Sequence, residues 1–250
     1  MKLDNIHSIY FVGVGGIGMS ALARYFNLLG KEVQGYDLVS TDLTQELEAE
    51  GIKVYFDGDA SIIPESFKNS ETTLVVFTPA VPDNLPVLMW FRDQGFRVYK
   101  RSRVLGLITK AKTGICVAGT HGKTTVSTMT GHLLHQSAQG CSAFLGGIAK
   151  NYHSNLLVSA ESDNVVVEAD EFDRSFLHLS PYCSIVTAMD PDHLDIYGDP
   201  EHFNEGFQQY AMKIDPGGWC IAREGIELHT LSKYCTYNIE STTSDYSANH

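Results

Sequence analysis

The sequence predicts an α/β protein made of two consecutive units, each built on a mostly parallel sheet. Short apolar segments alternate with helical segments along most of the chain, which is the pattern of strands joined by helical crossovers. Two glycine-rich turns, at residues 13–18 and 119–122, each follow a short apolar strand and precede a helical pattern. Because such turns present main-chain N–H groups to phosphate, we expect each unit to open with a phosphate-binding loop.

The composition is that of an ordinary globular protein with one large or two modest domains. Of the 250 residues, 43% are hydrophobic and 19% are charged. The net charge of −12 argues against nucleic acid as a partner, since nonspecific nucleic-acid binding relies on a basic surface. The first apolar run, residues 9–14, is too short to span a bilayer. Five scattered cysteines without a C-x-x-C pair favour a reduced, cytoplasmic location.

The first unit begins with a strand, a glycine turn and a helix. Its strands are predicted at 8–14, 33–37, 53–56, 73–78 and 96–99, and its helices at 19–29, 42–50 and 84–94. The turn fits G-x-G-x-x-G, and Asp37 ends the second strand nineteen residues beyond Gly18. This arrangement predicts a Rossmann-like unit that binds a pyrophosphate. Nicotinamide dinucleotides, flavins and UDP-sugars all carry one, so the ligand stays open, and the turn alone favours a nicotinamide cofactor.

The second unit follows a basic, helical stretch at 101–112. Its strands are predicted at 115–118, 142–145, 164–168, 183–188, 218–222 and 234–239. Asp199 and Pro200 are typical of a helix start, and the polar tail from Ser241 is expected to lack regular structure. We expect the first domain to comprise residues 1–107 and the second to comprise residues 108–250.

The turn after strand 115–118 predicts a site for a nucleoside triphosphate. It is a shorter variant of the G-x-x-x-x-G-K-[ST] phosphate loop, reading Gly119, Thr120, His121, Gly122, Lys123, Thr124, Thr125. The glycines allow a tight turn with several N–H groups aimed at one phosphate. Lys123 supplies a mobile positive charge for the outer phosphates, and the Thr124 hydroxyl can ligate Mg²⁺. His121 either contacts phosphate or substrate or is a tolerated loop residue.

Acidic residues follow the next apolar strand, 164–168. Glu168 is the first acid off that strand and is the preferred Mg²⁺ ligand, with Asp170, Glu171 and Asp173 competing for the role. His193 stands between acids, and on its chemistry alone metal ligation and an ordinary polar role remain equally open. No Ser-His-Asp or Cys-His set follows these strands. The second unit therefore offers positioning and electrostatics, which is what phosphoryl transfer needs.

Four motifs together resemble the Mur ligase family, in order and over essentially the whole chain. They are Gly13-Val-Gly-Gly-Ile-Gly-Met-Ser20, Gly119-Thr-His-Gly-Lys-Thr-Thr125, Val167-Glu-Ala-Asp-Glu-Phe-Asp-Arg-Ser-Phe176 and Asp192-His-Leu-Asp-Ile-Tyr197. The resemblance implies a Rossmann-like domain for a UDP-sugar, followed by a phosphate-loop ATPase domain. It also implies an ATP-dependent ligase of peptidoglycan precursor synthesis, in which L-alanine is joined to the lactyl carboxylate of UDP-N-acetylmuramate through an acyl phosphate.

The resemblance also implies roles for individual residues. The UDP-sugar would be bound by Gly13, Gly15, Gly16, Ile17, Gly18, Met19, Ser20 and Asp37. ATP would be bound by residues 119–125. Mg²⁺ would be held by Thr124, Glu168 and His193, and the catalytic set would be Lys123, Glu168 and His193.

The chain departs from the family pattern in two respects. Ala188 stands where the family usually carries Asn, and the chain has about half the length of a typical ligase. The later part of the ATPase domain and the amino-acid domain are then absent, so we expect a fragment that binds UDP-sugar without completing ligation.

A murein-peptide ligase, which joins a ready-made peptide to the same sugar, is the closest alternative. An NAD-dependent oxidoreductase is the alternative from another class, although it leaves residues 119–125 without a role.

Overall fold

The computed structural model describes residues 5–239 and 243–248 and divides the chain into two compact units, Met1–Val104 and Leu105–His250. Both units are α/β, as the sequence predicts. No helix in the described part of the chain combines the length and apolar character needed to cross a bilayer.

The first unit is a five-stranded parallel sheet with the order β3-β2-β1-β4-β5. Its strands are β1 (Ser8–Val12), β2 (Glu32–Tyr36), β3 (Lys53–Tyr55), β4 (Thr73–Phe77) and β5 (Arg97–Lys100), and its helices are α1 (Ile17–Leu28), α2 (Asp42–Ala49) and α3 (Pro86–Asp93). The order of the strands reverses at β1, all five residues of which are buried. In open parallel sheets ligands bind at the carboxyl end of the strand where the order reverses, which is where residues 13–18 begin.

The second unit contains an eight-stranded sheet with the order β13-β12-β11-β10-β6-β9-β7-β8. Its elements are α4 (Arg101–Ala111, which starts in the first unit), β6 (Thr113–Ala118), α5 (Lys123–Gln136), β7 (Ser142–Ala149), β8 (Ser154–Leu157), β9 (Asn164–Glu168), β10 (Cys183–Val186), α6 (Leu194–Tyr197), α7 (Pro200–Ala211), β11 (Trp219–Arg223), β12 (Lys233–Ile239) and β13 (Tyr246–Ala248). Every strand pair is parallel except β7 and β8. The carboxyl ends of β10, β6 and β9 therefore meet at one edge of the sheet.

Two strands of this sheet are missing from the sequence prediction. β8 has only four residues, which are too few to show a hydrophobic pattern in the sequence. It is ordered by its antiparallel pairing with β7. The expectation that the tail lacks regular structure is wrong for β13, which pairs with β12 although its side chains are exposed. Residues 240–242 and 249–250 of that tail lie outside the described residues. Both strands form because a neighbouring strand pairs with them, and no repeat of apolar residues in the sequence predicts either strand.

Helix α7 covers one face of the second sheet with an aromatic cluster. The rings of Phe176 and Tyr210 are stacked with centroids 4.9 Å apart, and Phe207 meets Phe176 edge-on at 5.1 Å. The cysteines are free, and burial raises the pKa of Cys183 to about 11 and that of Cys220 to about 12. These thiols stay protonated at neutral pH and act as small apolar side chains, as their sequence context indicates.

Candidate functional site

The loop after β6 has a backbone that only glycine allows at two positions. Gly119 has a φ of +128° and Gly122 a φ of +80°. A Cβ atom on Gly119 would lie 2.3 Å from Thr187 Oγ1 and 2.7 Å from the Ala188 nitrogen. Both glycines that the sequence singled out are therefore required by conformation, and Gly119 is required by space as well.

The end of β10 supports this loop. The Thr187 hydroxyl lies within hydrogen-bonding distance of the carbonyl oxygens of Ala118, at 3.1 Å, and His121. The Thr120 N–H donates to the Ala188 carbonyl, 3.1 Å away. Ala188, which replaces the family's usual Asn, thus contributes its main chain to the loop. Sequence reasoning missed Thr187, since a threonine after a buried strand carries no signal by itself.

Five consecutive main-chain N–H groups remain available at the start of α5. Within residues 5–239 and 243–248, none of the N–H groups of residues 121–125 donates to a protein acceptor. The first N–H groups of a helix have no partner inside the helix, and the helix dipole adds a partial positive charge there. This geometry suits an anion with several oxygen atoms, such as a phosphate chain.

The ammonium group of Lys123 contacts the loop carbonyls and the carboxylate of Glu171 in this structure. Its Nζ donates to the Gly119 carbonyl and to Glu171 Oε1, each 2.8 Å away, and lies 3.5 Å from the Thr120 carbonyl. Glu171 is 1% exposed, so its charge and that of Lys123 neutralise each other away from bulk water. Glu171 is one of the acids that compete with Glu168 for the metal, and here it contacts the lysine instead.

Thr124 and Glu168 lie together, as a shared metal ion requires. The Thr124 hydroxyl donates to Glu168 Oε2 at 2.9 Å. These two side chains occupy space that the missing side chain of Gly146 in β7 provides, because a Cβ there would lie 2.0 Å from Glu168 Oε2 and 3.0 Å from Thr124 Oγ1. Two oxygen donors next to a phosphate-binding loop are the ligands that Mg²⁺ prefers, so these residues fit the ion. Gly146 was not identified from the sequence.

The structure places His193 on a strained loop beside Asp192 and Phe172. Its φ is +50°, its N–H donates to Asp192 Oδ1 at 2.7 Å, and its ring meets Phe172 edge-on at 5.3 Å. No three His, Cys, Asp or Glu side chains of the described residues are close enough together to hold a metal ion. The assignment of His193 as a third ligand stays a prediction, as does any role for the exposed His121.

Tyr197 fixes the acidic segment that follows β9. Its hydroxyl donates to the Glu171 carbonyl at 2.7 Å. Burial raises the pKa of Tyr197 to about 12, so the hydroxyl keeps the proton that it donates. The same carbonyl accepts from the Arg174 N–H at 3.0 Å. Glu171 therefore has a firmly held backbone beneath its buried carboxylate.

The first glycine turn is closed by Asp37. The Gly15 N–H donates to Asp37 Oδ2 at 2.6 Å, and the Leu38 N–H donates to Oδ1 at 2.8 Å. Gly13 has a φ of +86°. A Cβ on Gly15 would lie 2.8 Å from Thr44 Cγ2. Asp37 thus holds the turn itself in this structure, rather than presenting two uncommitted oxygens to a ligand.

A guanidinium group lies against the first turn of α1. A Cβ on Gly18 would lie 2.8 Å from Arg101 Nη1, so the glycine allows this close approach. In the described chain the N–H groups of Gly16 and Gly18 donate to no protein acceptor. Met19 and Ser20, which the sequence also assigns to the site, are buried in α1. The sequence alone identifies Arg101 only as part of a basic connecting stretch.

Comparisons with known proteins relate both units to one protein family. Residues 8–113 match the family profile described as "Mur ligase family, catalytic domain", and residues 117–248 match "Mur ligase middle domain". The UDP-N-acetylmuramate–L-alanine ligase of Phocaeicola vulgatus is 57% identical over 228 residues, which are 91% of this chain and 50% of that protein. The same ligase of Parabacteroides distasonis is 50% identical over 254 residues, which are 100% of this chain and 55% of that protein. The chain thus spans about half the length of these curated relatives.

Solved structures show the same fold. The UDP-N-acetylmuramate-alanine ligase of Thermotoga maritima has a TM-score of 0.80 and 30% identity, covering 94% of this chain and 53% of that one. A UDP-N-acetylmuramate:L-alanyl-gamma-D-glutamyl-meso-diaminopimelate ligase from Neisseria meningitides has a TM-score of 0.82 at 23% identity, covering 93% and 78%. At that identity the second match supports the fold alone.

Proposed function

The chain belongs to the Mur ligase family, and from this premise we propose that it carries the sugar-nucleotide and ATP sites of a UDP-N-acetylmuramate–L-alanine ligase. The observation that supports this most is the grouping of the open amides of residues 121–125, Lys123 and the Thr124–Glu168 pair at one sheet edge. These are the parts that phosphoryl transfer requires. In this proposal residues 1–107 bind the sugar nucleotide and residues 108–250 bind ATP.

The second unit would position the triphosphate for transfer of its terminal phosphoryl group. The N–H groups of residues 121–125 and the amino end of α5 would bind the phosphate oxygens. Lys123 would neutralise charge on the migrating group. Thr124 and Glu168, with His193 as the predicted third ligand, would hold Mg²⁺, which supplies charge neutralisation and orientation when bound.

The first unit would hold the sugar nucleotide by its pyrophosphate. The N–H groups of Gly16 and Gly18 and the guanidinium of Arg101 lie at the amino end of α1, where an anion is stabilised. A nicotinamide cofactor is not favoured. The carboxylate of Asp37, which would bind the ribose in that class, already accepts from the main chain of Gly15 and Leu38.

The reaction would proceed in two steps, phosphoryl transfer to the carboxylate and then attack by the amine. A lactyl carboxylate oxygen attacks the terminal phosphorus of ATP, the bond to the bridging oxygen breaks, and ADP leaves with its electron pair. The amine of L-alanine then attacks the acyl carbon, loses a proton and expels inorganic phosphate. The residues described here would serve the first step, in which charge moves between phosphate oxygens.

Calorimetric titration tests this proposal. UDP-N-acetylmuramate and Mg-ATP should each bind the 250-residue chain, and each isotherm should show one site. Failure of both ligands to bind would overturn the proposal. With an enzyme of the relatives' full length, a comparison of L-alanine against a tripeptide as acceptor separates this function from that of a murein-peptide ligase.

A further inference from the structure

A buried acid that the proposed reaction does not use, Glu171, holds the lysine of the phosphate loop. We propose that Glu171 is a specificity-determining residue that competes with phosphate for Lys123, so that the loop accepts polyphosphates and rejects singly or doubly charged anions. This inference rests on the proposed function, since it takes residues 119–125 as a phosphate site.

The charged groups of Lys123 and Glu171 are in close contact and largely shielded from solvent. Lys123 Nζ lies 2.8 Å from both oxygens of Glu171, and the side chains are 14% and 1% exposed. Oε1 accepts a hydrogen bond from Nζ, whereas Oε2, which is also buried, makes an ion-pair contact with Nζ and no hydrogen bond among the described residues. A buried carboxylate is costly without a compensating charge. Lys123 is the positive charge within hydrogen-bonding distance that compensates Glu171.

The main chain at Glu171 is fixed and its carboxylate is buried, whereas the longer side chain of Lys123 is able to move. The main-chain carbonyl of Glu171 accepts from the Tyr197 hydroxyl at 2.7 Å and from the Arg174 N–H at 3.0 Å. Lys123 has four rotatable side-chain bonds and sits at the first position of α5. When an anion binds at residues 121–125, the ammonium group is therefore the partner that reorients.

The number of donors makes this a competition. An ammonium group has three N–H bonds, and here its acceptors are the Gly119 carbonyl, Glu171 Oε1 and, at 3.5 Å, the Thr120 carbonyl. A phosphate oxygen that binds Lys123 must replace one of them while the nearby carboxylate repels the anion. A ligand with several negative charges overcomes this cost, whereas orthophosphate gains little over the carboxylate that it displaces.

The isosteric substitution Glu171→Gln tests the inference by the sign of its effect. The probe is inorganic tripolyphosphate, titrated calorimetrically into the 250-residue chain at fixed pH and ionic strength. We expect E171Q to bind it about tenfold more tightly, equivalent to about 1.4 kcal/mol, and to bind orthophosphate measurably. If Glu171 only maintained the fold, E171Q would bind more weakly and melt earlier.

Two further variants separate charge from structure. Glu171→Asp keeps the charge and should retain the native affinity within about threefold, on the scale of a weakened charge contact. Tyr197→Phe removes the support of the Glu171 carbonyl but keeps the Lys123–Glu171 charges, and should leave the tripolyphosphate affinity near native. Affinity in E171Q equal to or below that of the native chain overturns the inference. If the native chain itself fails to bind tripolyphosphate, it is the proposed function that fails.

A measurement on the native chain covers the case in which E171Q does not fold. With ¹³C-labelled glutamate, the carboxyl signal of Glu171 should shift when tripolyphosphate saturates the chain, because the carboxylate loses its contact with Lys123. A signal that does not move on saturation would contradict the competition.

Discussion

At the residue scale, the position of the Glu168 carboxylate requires that residue 146 has no side chain. The carboxylate of Glu168 and the hydroxyl of Thr124 occupy the space that a Cβ on Gly146 would enter. The nearest atom is the end of a flexible side chain, so a substitution there would move the carboxylate more than it would disturb the backbone. The function of this glycine is therefore separable from the stability of the fold.

Gly146→Ala is expected to weaken binding of Mg-ATP by about tenfold or more, on the scale of one lost charge-assisted contact, while the melting temperature changes little. Calorimetry with and without Mg²⁺ measures the effect. Gly147→Ala is the matched control, because the nearest atom to its Cβ is Thr124 Cγ2 at an ordinary 3.7 Å. Equal Mg-ATP affinity in both variants would contradict the assignment of Thr124 and Glu168 to the metal.

Removal of Lys123 has two consequences that must be measured separately. In an enzyme of the relatives' full length, Lys123→Ala should cost about 3 kcal/mol of transition-state stabilisation, the scale of one preorganised electrostatic donor. It also leaves Glu171 buried without its counter-charge, which should lower the free energy of unfolding by about 3–5 kcal/mol.

The double variant Lys123→Ala/Glu171→Gln separates these consequences. Urea unfolding should show most of the lost stability restored, because no unpaired charge remains buried, while ATP turnover stays low. Near-normal turnover in Lys123→Ala, or no recovery of stability in the double variant, would show that the pair does not act as described.

At the scale of elements, the sequence predicts what each segment is but not which segments meet. The buried strands β1, β6 and β9 are visible as apolar runs, and the glycine turns are visible as motifs. Thr187 reaches the phosphate loop from β10, and Gly146 reaches Glu168 from β7. Both contacts depend on the strand order β10-β6-β9-β7, which is a long-range property. Residues brought to a site by a neighbouring strand carry no local signal.

Helix α7 illustrates an element whose start the sequence predicts correctly. Asp199 caps its first turn by accepting from the His202 N–H at 2.9 Å, Pro200 is its first residue, and its apolar face is buried. Asp199 and Pro200 are local signals of a helix start, so the sequence contains them. The stacking of its Tyr210 on Phe176 is not local and could not be predicted.

Phe207→Ala should therefore destabilise the second unit by about 3–5 kcal/mol, the usual cost of removing a buried aromatic ring. Phe207 is fully buried and contacts both Phe176 and Phe203. The exposed neighbour Gln209 is the control, and Gln209→Ala should change stability by less than about 0.5 kcal/mol. Urea unfolding followed by circular dichroism compares the two, and similar midpoints would mean that α7 does not anchor this face.

At the scale of the whole molecule, the proposed function requires an acidic chain to bind anions through its main chain. With a net charge of −12, long-range attraction of a polyphosphate is not available. Each unit instead has a glycine turn at the amino end of a helix, with Arg101 near the first turn and Lys123 at the second. The fold thus creates local positive potential from N–H groups and helix dipoles, which composition alone does not reveal.

This use of main-chain groups makes a prediction for hydrogen exchange over the whole chain. The N–H groups of residues 121–125 have no protein acceptor within the described residues, so they should exchange rapidly in the free chain. Tripolyphosphate should slow their exchange, whereas UDP-N-acetylmuramate should slow that of Gly16 and Gly18. Amides inside β6 and β1 serve as the internal reference, because they are already bonded in the sheets. If either ligand protected only residues away from its own turn, the assignment of that turn to a phosphate group would be wrong, whatever the overall affinity.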